Sequence, residues 1–301
     1  MSWLDRWSVP LEDLGPGLLE SPLTAATAKL DGKAMSTPVV RRRRNSLKTV
    51  LTAAVRRGII DANPMDRMEW DMLQQSLQVD VSTVPSVSDV VRIVQVVAAL
   101  PTGGARYAVF FAVIGLAGLR PSEVAALTSA NLDLPKTGWG SARLRGAITS
   151  PGARYTADGE ALGHKGLKHR PAEATREVPL SPDLVALLRS HVSRFASEAP
   201  QVFTNLSGRP VAMSNYSPVW SRARAQLWPK GHALSKTIVY DLRHTAATTM
   251  LRSGVMPSAV ARRLDHSVDV LMRVYAGVFQ DERDRSNVLI EAEMAAQRCE
   301  G

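Results

Sequence analysis

The chain has 301 residues, 45% of them hydrophobic, which is enough for one sizeable core and a smaller second one. Lys plus Arg number 37 against 28 Asp plus Glu, and the formal net charge of +9 fits a polyanionic partner without identifying it. A single cysteine, Cys299, excludes an internal disulfide or a Cys-built zinc site. With no run of about 18 apolar residues and no basic-then-apolar leader, a folded cytoplasmic protein with no membrane partner is expected.

Trp3, Leu4 and Trp7 suit one face of a short helix, after which Pro10, Gly15, Pro16, Gly17, Pro22, Gly32 and Pro38 interrupt any period. A clearer amphipathic helix follows, with Leu47, Val50, Leu51, Ala54 and Val55 at helical spacing. Its basic flank is Arg41, Arg42, Arg43, Arg44 and Lys48, with Arg56 and Arg57 beyond. Such a flank is either a solvated face or a surface laid along a DNA backbone, and four adjacent arginines favour the second. Gly58 and Asn63-Pro64 end this helix, residues 65–77 suit one more helical segment, and VDVSTVPSV (79–87) reads as a linker. The expected division is a small helical domain over 1–80 and a larger one over 86–301.

Within the larger part, Ser88-Asp89 can cap a helix running to Leu100, and residues 105–116 are apolar enough for a helix buried on all sides. In GLAGLRPSEVAAL, Gly118 stops one helix and Pro121 starts the next. Arg120 is thereby fixed at a helix junction, with Glu123 near the positive end of the new helix as a ready ion-pair partner. Residues 139–148 and 175–180 are β-rich, and GHKGLKHRP between them reads as a basic loop carrying Lys165, Lys168 and Arg170. Ser181-Pro182-Asp183 caps a helix to about Phe195, and 214–227 suits another. The fold class is mainly α with a small antiparallel β-sheet.

The last third of the chain concentrates the chemistry. Tyr240 and Arg243 share one face of a helix, and His244 points about 100° away from Arg243. Gly254 and Pro257 close that helix and open another, and Asp265-His266-Ser267 then caps a short helix ending near Tyr275. A phenol, an arginine and a histidine that converge in this way can attack and stabilise a phosphodiester. Beyond Tyr275, Val288, Leu289, Ala292, Ala295 and Ala296 form an apolar stripe that needs a docking surface.

Four blocks, GLAGLRPSEVAAL, LKHRPAEATREVPL, YDLRHTAATTMLRSG and ARRLDHSVDVLMRVYAGV, in this order and spacing resemble the catalytic domain of tyrosine recombinases, the phage integrase family. They look most like integrases of actinobacterial phages and mobile elements, over roughly residues 86 to 280. The resemblance implies the DNA breaking-rejoining catalytic fold, preceded here by a shortened helical core-DNA-binding domain without a separate arm-binding domain. It implies a site-specific recombinase that integrates or excises a phage or mobile element through a 3′-phosphotyrosyl intermediate. Double-stranded DNA attachment sites are the implied partner, with self-assembly to a tetramer on DNA and room for an accessory DNA-bending or directionality factor.

Carried over by position, the resemblance makes Arg120 and Arg243 the two catalytic arginines, His266 the histidine that bonds a phosphate oxygen, and Tyr275 the nucleophile. Lys168 becomes the lysine that protonates the departing 5′ oxygen, with Lys165 as second choice. Glu123 supports the first arginine, and His244 is expected to be a buried hydrogen bonder rather than a reactant. Two guanidiniums hold the non-bridging oxygens as negative charge builds, so neither a metal nor any other cofactor is implied. Two positions depart from the family pattern. Tyr240 stands where the family usually has a histidine, and a phenol donates to phosphate but is a poor base near pH 7. Asp265 stands in place of glycine, beside His266, whose pKa it could raise and whose phosphate it could repel. The other readings are a degenerate DNA-binding remnant of an integrase and a type IB topoisomerase-like enzyme.

Overall fold

In the computed structural model, the described residues are 10–29, 35–68, 78–101, 103–150, 152, 162–166, 174–195 and 199–279, with scattered residues of the tail beyond 286. The chain divides into two compact units, Met1–Ser76 and Leu77–Gly301.

In the first unit, α1 (Pro16–Thr27) packs on α2 (Thr37–Arg56) and on a 3-10 turn at Pro64–Arg67. Two prolines that read as breakers are starters: Pro16 opens α1 and Pro38 lies at the start of α2, where the helix has no use for the missing N–H. Leu19, Leu23, Leu51 and Met65 form the buried core. Asn63 clips the turn to α2, its amide nitrogen donating to the Lys48 carbonyl (3.2 Å) and Thr52 Oγ1 (3.0 Å) while its oxygen accepts from Met65 N (3.0 Å). The apolar stripe of α2 is narrower than the sequence suggests. Leu51 and Ala54 are buried and Leu47 packs beside them, but Val50 is 61% exposed. Consecutive arginines turn about 100° per residue, so the four cannot share a face. Arg42 and Arg43 are exposed, Arg41 and Arg44 half-buried, and Lys48 pairs with Asp66 at 2.6 Å. Residues 3–7 and most of the expected helix over 65–77 lie outside the described residues.

The second unit holds its own upstream segment, and this corrects the linker reading of 79–87. Val79 N donates to the Val274 carbonyl (2.8 Å), and the Thr245 hydroxyl donates to the Pro85 carbonyl (2.6 Å). The next helix, α3 (Val87–Ala99), is capped two residues earlier than expected, by a capping box between Ser86 and Asp89. Then come α4 (Ala105–Ala112), a π-helical turn (Val113–Ala117) and α5 (Pro121–Ala125). Phe110, Phe111, Ile114 and Leu119 are wholly buried there and pack with Phe203 and Trp220 into the main core.

The expected small antiparallel β-structure is present, and among the described residues it has two parts: β1 (Leu132–Asp133), β2 (Gly140–Leu144) and β5 (Arg176–Leu180) in the order β1-β2-β5, and β3 (Gly146–Thr149) paired with β4 (Gly163–Gly166). Part of the basic loop is therefore strand β4, with Lys165 opposite Ala147. Helices α6 (Pro182–Arg194) and α7 (Met213–Leu227) lead to α8 (Asp241–Arg252), α9 (Pro257–Leu264) and α10 (Val268–Tyr275). These last three enclose a second core of Ala247, Leu251, Val260, Leu264, Leu271 and Tyr275. Val81–Ala99 is apolar enough by length to cross a membrane, yet Val90, Ile93 and Val97 of α3 are buried in the protein core.

Candidate active site

The site grows from two backbone features. Gly118 ends the π-helical turn at φ 74°, and a Cβ there would lie 2.5 Å from the Leu264 side chain, so only glycine lets the turn approach α9. Its carbonyl thereby faces α8 and accepts from Arg243 Nη1 at 2.6 Å. The second feature is Asp265, the one non-glycine at positive φ (54°) among the described residues, which ends α9 in the left-handed region. That reversal brings His266 back toward α8.

Glu123 is the hub. Its buried carboxylate accepts from Arg120 Nη1 (2.7 Å) and the Arg120 backbone N–H (2.8 Å), lies 2.8 Å from Arg176 Nη2, and has Arg243 Nη1 at 3.8 Å. Arg120 also donates to the Asp265 carboxylate and to the Asp265 carbonyl, both at 3.0 Å. Three guanidiniums face two carboxylates, which leaves one positive charge for an incoming monoanion. Arg243 is completely buried, which pushes its pKa down by desolvation, and it donates through Nη2 to the Leu264 carbonyl and to His266 Nε2 (3.1 Å).

An arginine only donates, so His266 Nε2 accepts and its proton sits on Nδ1. That buried Nδ1 is a donor with no partner among the described residues. Burial together with the charges of Arg243 and Arg120 pulls the His266 pKa down to about 4, outweighing the opposing carboxylate of Asp265. Asp265 does act upward on this pKa, as its position beside His266 suggests, but burial and the two arginines outweigh it. Tyr275 is fully buried at the end of α10, and its hydroxyl lies 2.7 Å from His244 Nδ1. Desolvation raises the phenol pKa above its ordinary value. Tyr240 caps α8 with its ring edge-on to His244 at 5.7 Å. Its phenol is partly exposed and hydrogen-bonds to none of the described residues.

The description Phage integrase family fits residues 86–282, well over half of the chain. The chain belongs to the phage integrase family. It is a site-specific tyrosine recombinase, and this favours neither the topoisomerase-like nor the remnant reading. Comparison with curated proteins finds no match. Among solved structures, the chain is similar to the Tn1549 transposon integrase in complex with circular intermediate DNA, with TM-score 0.69 and 16% identity over 95% of this chain and 87% of that one. The XerH recombinase bound to difH is similar at TM-score 0.62 and 14% identity, covering 94% and 74%. Lambda integrase bound as a dimer to a COC′ core site gives 0.57 and 14%, covering 94% and 86%. At these identities the likeness speaks for the fold.

Of the residues singled out from this integrase's sequence, Arg120, Glu123, Arg243 and His266 form one bonded cluster, and His244 and Tyr275 form a second pair, with the Tyr240 ring against His244. Lys168 lies outside the described residues. Lys165 is exposed on β4 and, with Glu123, lines a cavity of about 300 Å³. Sequence reasoning missed Arg176. It stands on the same face of β5 as the buried Val178 and Leu180, and an arginine at an inward position of a strand was the available signal.

Two expected outcomes follow from the departures at 240 and 265. Replacing Tyr240 by Phe tests the expected hydrogen bond to phosphate: a bond to a charged group is worth on the order of 1.5 to 3 kcal/mol, so the rate of covalent adduct formation on a nicked substrate should fall roughly ten- to a hundredfold. An unchanged rate would remove Tyr240 from the phosphate site. Asp265→Asn keeps a side chain suited to the left-handed region and frees Arg120 from a competing anion. Attachment-site DNA should then bind about tenfold tighter in titrations at fixed salt, equivalent to ~1.4 kcal/mol. Weaker binding would show instead that the carboxylate holds Arg120 in its working position.

Proposed function

We propose that this integrase cleaves and rejoins duplex attachment sites of a phage or mobile element, with Tyr275 as the nucleophile. In this reading Arg120 and Arg243 hold the non-bridging oxygens, and His266 Nδ1 and the Tyr240 hydroxyl donate to the same phosphate. Lys168 protonates the 5′ oxygen as it leaves. The observation that carries the reading is the convergence of Arg120, Arg243 and His266, from three separated segments, onto one bonded cluster with a surplus positive charge, with Tyr275 held by His244, the neighbour of Arg243 on α8. Charge-assisted donors of this kind act on the pentavalent state, where phosphate charge is greatest. The protein would work in the cytoplasm, where its DNA is, and without metal or other cofactor.

A tetramer on two duplexes fits the exposed apolar residues of the tail, Val288, Ile290 and Met294, each more than half exposed. Exchange of strands between two attachment sites, assayed on a two-site plasmid against relaxation of a plain supercoiled one, tests the recombinase activity. Relaxation without exchange would count against it.

The first unit is proposed to track the DNA backbone through Arg41 to Arg44. Changing all four to alanine should weaken binding for all sequences alike and reduce the salt slope by roughly 0.9 for each phosphate that is no longer neutralised. An unchanged slope would place those arginines off the DNA.

A further inference from the structure

The geometry points to His244 as the group that holds the Tyr275 hydroxyl and takes its proton when it attacks phosphorus, a role that rests on Tyr275 being the nucleophile. His244 Nδ1 is 2.7 Å from Tyr275 Oη, and no other described residue hydrogen-bonds to that oxygen. A phenol buried this completely cannot lose its proton to bulk water, so an acceptor has to be supplied by the protein. The other candidates are excluded by their own bonds. His266 turns Nε2 to Arg243, and Tyr240 carries a phenol, which cannot serve as a neutral base near pH 7.

The surroundings of His244 suit the task. It faces Arg243 and Asp241 on its own helix, Tyr240 at the helix cap, Tyr275 from α10 and His266 from the turn after α9. Burial is the main influence keeping the ring neutral at pH 7, with Arg243 adding to it, and Asp241 is placed to compensate the charge once a proton arrives.

The step balances. The Oη–P bond forms as P–O5′ breaks, the phenolic proton passes to Nδ1, and the 5′ oxygen receives its proton from a separate donor, for which Lys168 is proposed. In rejoining, the 5′ hydroxyl attacks and gives its proton back to that donor, the phenolate leaves, and the His244 imidazolium returns the proton to it.

The test uses the full chain and a nicked suicide substrate of its attachment site, with adduct formation followed from pH 5 to pH 9. The unmutated protein should lose rate as pH falls through one protonation below the ordinary histidine value of 6.5, because the base must be neutral. His244→Asn places an amide near the Nδ1 position and cannot take the proton. It should bind DNA as the unmutated protein does and form adduct roughly 10²- to 10⁴-fold more slowly, with the acid limb gone and a rate that climbs with hydroxide. In His244→Ala, added imidazole should restore rate, which a packing role would not allow.

Adduct formation by His244→Asn within about threefold of the unmutated rate, or survival of its acid limb, would overturn the inference. Failure of imidazole to rescue a His244→Ala protein that still binds DNA would count against it equally. Absence of any Tyr275 adduct in the unmutated protein is a different result, since it sinks the nucleophile assignment itself.

Discussion

Tyr275→Phe should bind attachment-site DNA at full strength and form no covalent adduct, at any pH and after any time. The ring keeps its place among Leu251, Val260, Leu264 and Leu271, and only the oxygen proposed to attack is removed. Some stability goes with it, because His244 Nδ1 loses a 2.7 Å partner in a largely buried position. An unmade buried hydrogen bond of this kind costs about 1–3 kcal/mol, so the variant should unfold a few degrees earlier while remaining folded at assay temperature. Gel-shift titration reads the binding and denaturing electrophoresis the adduct. An adduct on the Phe variant would move the nucleophile to another residue.

The largest expected effect on stability is at Glu123. Its side chain is 3% exposed and that of Arg176 is 4% exposed, so Glu123→Ala leaves a buried guanidinium without its ion-pair partner and removes one of the two anchors of Arg120. Removing one partner of a buried pair costs about 3–5 kcal/mol, which for a unit of this size lowers Tm by roughly 6–20 °C. Glu123→Gln should fall between, since the amide oxygen still accepts from the Arg120 backbone N–H. Adding Arg176→Met to Glu123→Ala should recover part of the loss, because the remaining cavity is then apolar and no charge is stranded. Calorimetry on the three proteins checks this. A Glu123→Ala protein as stable as the unmutated one would mean that the carboxylate does not bear the charge of the cluster.

What could be read from the sequence was whatever local rules govern. The helix that Pro121 opens, the Gly118 stop, the Ser267 cap of α10 and the pairing of Arg120 with Glu123 each depend on residues within one turn of each other. Where two local signals compete, reading fails by a residue or two: Ser86 rather than Ser88 caps α3, because Asp89 answers a serine three residues before it. Proline was misjudged near the amino terminus, since the same residue breaks a helix from within and begins one from its first turn.

The site was legible as a set of residues but not as a network. Helical geometry correctly turned His244 away from Arg243, yet it could not say that α10 would lie on that face and set a phenol against the imidazole. Nor could it find the bond from Arg120 to Asp265 across 145 positions, or the two backbone carbonyls that hold Arg243. Those bonds are decided by how α9 reverses at Asp265 and how closely Gly118 lets α8 and α9 approach, which are properties of tertiary packing.

The most direct measurement of the account is the chemical identity of the protein–DNA link. The unmutated protein is trapped on a nicked attachment-site substrate, digested with protease and nuclease, and the nucleotide-bearing peptide is sequenced by mass spectrometry. The account predicts one phosphotyrosyl linkage, carried by Tyr275 and joined to the 3′ end of the cleaved strand. A link through Tyr240, or a link to a 5′ end, would contradict it.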